Sequence, residues 1–200
     1  MACDITRGRL IDCKDTIGGL KAIFICKAYN NNIEAVATIA LTEMTTAGFA
    51  TWSAQSGSAT TVFKYDLVPN LSSMTVNVNS DNANGTAFFE QTLSAVLQKI
   101  DHDTTNELRL MAYSRAQIFV QDQNDNVFLL GMNNGCHVTG GTIFTGVAMG
   151  DQNGYTIEWG AQEKNGLIQI PASAGPATAK YPFDGLADES ALTITVGTLP

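Results

Sequence analysis

Residues 124–163 read NDNVFLLGMNNGCHVTGGTIFTGVAMGDQNGYTIEWGAQE, and the punctuation of this stretch decides the fold class. Asn124, Asp125 and Asn126 open it. Asn133, Asn134 and Gly135 interrupt it, then Gly140 and Gly141, then Asp151, Gln152, Asn153 and Gly154. Runs of β-branched and aromatic residues bounded by Asn, Asp and Gly read as strands joined by tight turns. Phe128, Leu129 and Leu130 form one run, and residues 142–147 (TIFTGV) the next. Residues 155–159 (YTIEW) alternate large and polar side chains with period two, as a half-buried strand does. The expectation is a β-meander, and nothing in the stretch has the make-up of a reaction centre.

Working outward, residues 20–29 (LKAIFICKAY) read as a long strand, followed by the turn signal Asn30, Asn31, Asn32 and a further strand over 33–42 (IEAVATIALT). Residues 43–60 hold Thr, Ser, Gly and Ala with two isolated aromatics, Phe49 and Trp52, which predicts a long loop or ribbon. Long loops in compact domains are commonly functional or ordered by a partner. Residues 61–67 and 73–79 alternate well and predict two strands across a turn at Pro69 and Asn70. Phe89, Leu93, Val96, Leu97 and Ile100 fall on one helical stripe, with Thr86 able to cap and Glu90 in the first turn. This predicts a flanking α-helix over about 86–101, ending near Asp101 and Asp103. Further strands are expected over 114–121, 167–170 and 191–196. The fold class is therefore mainly β: a single-domain antiparallel β-sandwich or barrel with one flanking helix. Residues 1–19 form an N-terminal arm, and residues 20–200 the β-domain.

Bulk chemistry narrows the function. The net charge is −8 with only eleven Lys and Arg, and no basic run exists to hold a nucleic-acid backbone. Charged residues make up only 15% of the chain, and small uncharged polar residues take their place. That balance suits a β-protein whose surface is largely covered by neighbours. The four cysteines, Cys3, Cys13, Cys26 and Cys136, contain no CxxC, which argues against zinc and for buried free thiols. The N-terminal segment carries Asp4, Arg7, Arg9 and Asp12 where a secretory leader would be apolar, and no run approaches the length of a membrane span. The expected setting is synthesis in a cytoplasm, with no membrane partner.

Candidate chemistry is sparse. His102 lies between two aspartates at the expected helix end, where the dipole favours a charged imidazole. Cys136 and His137 are adjacent, so on a strand they point to opposite faces and cannot form a nucleophile–base dyad. Asp122, Asn124, Asp125 and Asn126 lack the sixth-position glycine and twelfth-position glutamate of a calcium loop and read as a turn. No phosphate-binding GxxxxGK[ST] and no GxSxG is present. The expectation is no enzyme, no catalytic residue, no metal and no cofactor.

The opening MACDITRGRLIDCKDTIGGLKAIFI and the later GGTIFTGVAMGDQNGYTIEWGAQE resemble tail tube proteins of tailed bacteriophages. The resemblance implies a virion structural protein that assembles into stacked, hexameric rings. Inner strands would join around a lumen through which genome DNA passes without specific binding. Its partners would be copies of itself together with other tail and connector proteins, and its place the virion tail. Ring stacking through the arm and the ribbon would put Arg7, Arg9, Phe49 and Trp52 at contacts between subunits. Two other readings remain: a head decoration or head–tail connector protein, and a ligand-binding β-sandwich presenting Trp52, Tyr155 and Trp159 as an aromatic platform.

Overall fold

The computed structural model describes residues 14, 16–26, 60–170, 175–176, 181–184 and 192–196. In chain order these form β1 (Leu20–Cys26), β2 (Thr60–Asp66), β3 (Ser73–Asp81), β4 (Thr86–Gln98), α1 (His102–Tyr113), β5 (Ile118–Asp122), β6 (Val127–Leu130), β7 (His137–Phe144), β8 (Gly154–Glu163), β9 (Ile168–Gln169) and β10 (Leu192–Val196). Two open sheets result, one of six strands in the order β10-β2-β1-β5-β6-β9 and one of four in the order β3-β4-β8-β7. The mainly-β class, with one helix among the described residues, is as the sequence implies; neither sheet closes into a barrel. All pairings are antiparallel except β10 on β2, which is parallel.

The two sheets are made from differently patterned strands. In β1, Ile23 and Ile25 point into the core between the sheets, where Leu93, Ala95, Tyr155, Ile157 and Trp159 meet them. Ala22, Phe24 and Cys26, on the alternate positions, join a second core on the far face with Phe119, Leu129 and Ile168. Phe183 closes that far face, its ring edge-on to Phe24 and Phe119 at 5.1 Å from each. A strand covered on both faces has no polar side, hence the continuous apolar run AIFIC. Each aliphatic chain so buried contributes about 1.5–3 kcal/mol.

The helix expected over 86–101 is instead β4, the strand at the centre of the four-stranded sheet, paired with β3 on one side and β8 on the other. Its burial has period two: Gln91, Leu93, Ala95 and Leu97 are buried and the residues between them are not. Gln91 disguised the alternation. It is a polar residue at a core position, tolerated because its Oε1 accepts the Gly131 N–H at 2.9 Å. Asn84 and Gly85 belong to the β3–β4 hairpin turn, for which Asn-Gly is the strongest short signal.

The one helix among the described residues, α1, starts where the expected helix was to end. Asp101 is its N-cap, the carboxylate accepting the N–H groups of Asp103 and Thr104 at 3.2 and 3.3 Å. His102 therefore sits at a helix N-terminus, where the dipole opposes its positive charge, not at a C-terminus.

The meander is also revised. Residues 124–163 supply one strand, β6, to the six-stranded sheet and one hairpin, β7–β8, to the four-stranded sheet, because the chain crosses between β6 and β7. Pro69 and Asn70 do form a turn, but it likewise carries the chain from one sheet to the other instead of joining two paired strands. At the β6–β7 crossing Gly131 adopts φ 66°, and a side chain there would meet the Cys136 nitrogen at 2.5 Å. Only glycine fits that approach.

Candidate functional site

Four residues singled out as contacts, Arg7, Arg9, Phe49 and Trp52, lie outside the described residues, as do the strand expected over 33–42 and all but the last residue of the 43–60 ribbon. The end of the arm is described. Ile17 exchanges two hydrogen bonds with the Asn124 side chain, at 3.0 and 2.8 Å, and Gln123 N–H donates to Gly19 O at 3.1 Å.

The polar residues buried in the core are committed to holding the fold. Three of them fix the β6–β7 crossing. Gln91 accepts from Gly131, Gln117 Nε2 donates to Met132 O at 2.7 Å, and Glu163 accepts from the Asn133 and Asn134 N–H groups at 2.9 and 2.8 Å. Gln121 Nε2 donates to Asp125 Oδ1 and to Tyr181 Oη, tying residues 181–184 to the β5–β6 turn. In that turn the Asp122 carboxylate accepts the N–H groups of Asn124 and Asn126 at 2.9 and 2.8 Å, the geometry of an Asx turn. Asp125 accepts from Lys21 at 2.7 Å and from Tyr181 at 2.6 Å. The Lys21 ammonium, with the Tyr181 hydroxyl second, holds the Asp125 carboxyl below its usual range.

Nucleophilic chemistry finds no footing at the candidates. Cys26 and Cys136 are free and buried. Burial pushes the Cys26 thiol up to about 12 and raises that of Cys136 as well, so neither supplies a thiolate at neutral pH. His137 is exposed while Cys136 is buried. Among the described residues no three His, Cys, Asp or Glu side chains gather to hold a metal. The aromatic platform fails as well: Tyr155 and Trp159 are core residues. The Tyr155 hydroxyl is spent on Asp101 and Thr105, anchoring the start of α1 to β8.

What remains open is the four-stranded sheet. Register fixes its faces. Leu93, Ile157 and Trp159 point inward, so Thr75, Thr92, Ser94, Thr142, Thr156 and their row-mates point outward. That outward face carries mostly hydroxyl and amide groups, together with Phe88, Val96, Phe144, the His137 imidazole and three carboxylates, Asp81, Glu90 and Glu158, and no Lys or Arg. Its two edges are β3, nine residues long, and β7, eight residues long, and among the described residues neither pairs on its outer flank. Natural edge strands are commonly guarded by Pro or Lys. SMTVNVNSD and HVTGGTIF contain neither; β7, however, carries an irregularity between Val138 and Gly140, packs against α1, and is preceded by Cys136, which exchanges two hydrogen bonds with Ala116. Strand signals located β3 but only the end of β7, whose Gly140 and Gly141 read as a turn and lie inside the strand; edge position depends on sheet order, which is set by pairings remote along the chain.

Comparison with models of protein families, with curated proteins and with solved structures finds no match.

Proposed function

We propose that this chain is a virion structural protein of a tailed bacteriophage, a tail tube subunit that assembles with copies of itself into stacked rings. The stacked rings form the conduit for genome DNA during ejection. The observation that carries the reading is the pair of edges on the four-stranded sheet, β3 and β7, which contain neither Pro nor Lys and pair with no outer strand among the described residues. Antiparallel pairing throughout makes β3 and β7 run in opposite directions. Set beside β7 of one copy, β3 of the next continues the antiparallel alternation. The contact joins two different edges, so it repeats from copy to copy and closes a ring when the rotation allows. Edges that are a liability in a monomer thereby become the assembly contact.

The chemistry of the outward face agrees with a lumen wall. Hydroxyls, amides and the carboxylates of Glu90 and Glu158 offer DNA phosphates no cation to bind, and like charge keeps the polymer moving. The resemblance of residues 1–25 and 140–163 to tail tube proteins supports the same reading.

Negative-stain microscopy with light scattering on the purified protein tests it. Rings or hollow tubes with a central channel are the expected result. A monodisperse monomer at high concentration would remove the reading. Particles labelled on the head instead of along the tail would move it to a decoration or connector role.

A further inference from the structure

The tip of the β7–β8 hairpin, residues 145–151, is built unlike an ordinary hairpin tip. Hairpin tips commonly expose Asn, Asp and Gly. Here the Asp151 carboxylate faces inward along the turn, its Oδ2 accepting the N–H groups of both Val147 and Ala148 at 2.8 Å. Asp151 N–H returns a bond to Ala148 O at 3.1 Å. Gly146 adopts φ 73°, and a side chain there would meet Asp151 Cβ at 2.6 Å. The backbone is thus fixed without help from Val147 or Met149, which stand 102% and 109% exposed, free of the rest of the protein. A rigid turn holding two apolar side chains in water is preorganised for insertion into an apolar site.

Such a site lies at the far end of the same sheet. β4 spans 13 residues, about 40 Å at the usual strand rise. Gln98 and Gly154 mark the end bearing the tip, while Phe89 and Glu163 pair toward the other. At that other end Val78 is 67% exposed beside its cross-strand partner Phe89, Gly166 packs on the Phe89 ring, and Leu167 follows at 39% exposed. The charges complement one another as well. Asp151 and Lys99 flank the tip end, and Lys164 and Asp81 flank the Val78 end, all four exposed. Placing copies end to end sets Asp151 toward Lys164 and Lys99 toward Asp81.

We infer that the 145–151 turn of one copy docks on the Val78, Phe89 and Leu167 patch of a second copy placed end to end with it. The contact joins two different surfaces of one chain, so it repeats indefinitely along the strand direction, at right angles to edge pairing between β3 and β7. It rests on the tube reading and deepens it by adding an axial contact between rings to the arm and ribbon contacts that the resemblance implies. A membrane is the poorer occupant: the tip carries Asp151 and lacks the aromatic and basic flanks that bilayer insertion favours.

Cross-linking tests this. Met149→Cys copies are mixed with Leu167→Cys copies under mild oxidation and run on a non-reducing gel, each variant alone serving as control, with wild-type protein imaged in parallel. A dimer band strong in the mixture and absent from either variant alone is expected. The double variant Val147→Asp, Met149→Asp, with an unchanged circular dichroism spectrum, is expected to give single rings in place of tubes. No mixture-specific band while wild type forms tubes overturns the docking and leaves the tube reading standing. Tubes of wild-type length from the double variant overturn it likewise. Wild-type protein that forms neither rings nor tubes overturns both.

Discussion

Replacing Glu163 should reveal how much of the two-sheet arrangement depends on the β6–β7 crossing. The carboxylate is 2% exposed at the end of β8 and holds three donors: Asn133 N, Asn134 N and Asn133 Nδ2, at 2.9, 2.8 and 3.0 Å. Hydrogen bonds to a charged group contribute about 1.5–3 kcal/mol each, which sets a ceiling of about 5–9 kcal/mol for the three. Two effects lower it. Burying the carboxylate costs desolvation, and Asn134 is exposed, so water replaces its acceptor once the carboxylate is gone. Glu163→Leu is therefore expected to cost about 3–5 kcal/mol. Glu163→Gln keeps one oxygen for the backbone donors and loses the charge, so about 1–2 kcal/mol is expected. Urea unfolding followed by tryptophan fluorescence reads both directly, since Trp159 lies in the core that the crossing closes. With a slope of about 2 kcal/mol/M, the Leu variant shifts the midpoint by about 1.5–2.5 M. A loss under about 1 kcal/mol for Glu163→Leu, or equal losses for Leu and Gln, would refute the view that the carboxylate clamps the crossing.

Phe183→Ala should cost about 3–5 kcal/mol, because it removes a fully buried ring that contacts Phe24 and Phe119 edge-on; a thermal melt within a degree or two of wild type would show that residues 181–184 do not cover the six-stranded sheet in solution. Acid should destabilise the protein through three aspartates whose folded pKa lies below the ordinary 3.8: Asp125 through Lys21 and then Tyr181, Asp81 through the Ala83 N–H and then Asn84, and Asp151 through the N–H groups of Ala148 and then Val147. A depressed carboxylate contributes stability that is fully present above its unfolded value and lost as pH falls through its folded one. The melting temperature should thus hold steady above about pH 5 and decline as the pH drops below about 4; a melting temperature that stays level well below that range would contradict it.

The strands that alternate, or that are continuously apolar, were legible in the sequence. YTIEW and TVFKYD declare their geometry locally, since period two requires no knowledge of the partner. Residues 86–98 misled for a specific reason. Gln91 and Ala95 occupy core positions that carry no hydrophobic signal, while Val96 on the outer face supplies a false one, and together they imitate a helical stripe. Helix α1 escaped notice for the opposite reason: it buries no residue, so it has no strong apolar stripe to detect. Its readable signal was the cap, Asp101 with the acidic Asp103 in the first turn, which only a search for helix starts would have isolated. The edges were not legible at all. β3 and β7 become edges through the order β3-β4-β8-β7, and no residue within either strand records that order.

The low charge density acquires a location once the two sheets are distinguished. The core strands of the six-stranded sheet are covered on both faces, so their composition is set by packing. On the outward face of the four-stranded sheet the side chains are exposed or half-buried, and an isolated domain would ordinarily place Lys and Glu on such a face. Here Thr75, Thr92, Ser94, Thr142 and Thr156 stand where those charges would be, with carboxylates alone among the charged groups and with two long edges left without Pro or Lys. A monomer gains nothing from that combination, since unguarded edges recruit other strands indiscriminately. For a subunit whose edges are consumed by its neighbours the combination is coherent. In the proposed tube subunit the edges would supply the contact, the net charge of −8 would discourage unintended association before assembly, and the hydroxyl-rich face would form a wall that holds no phosphate.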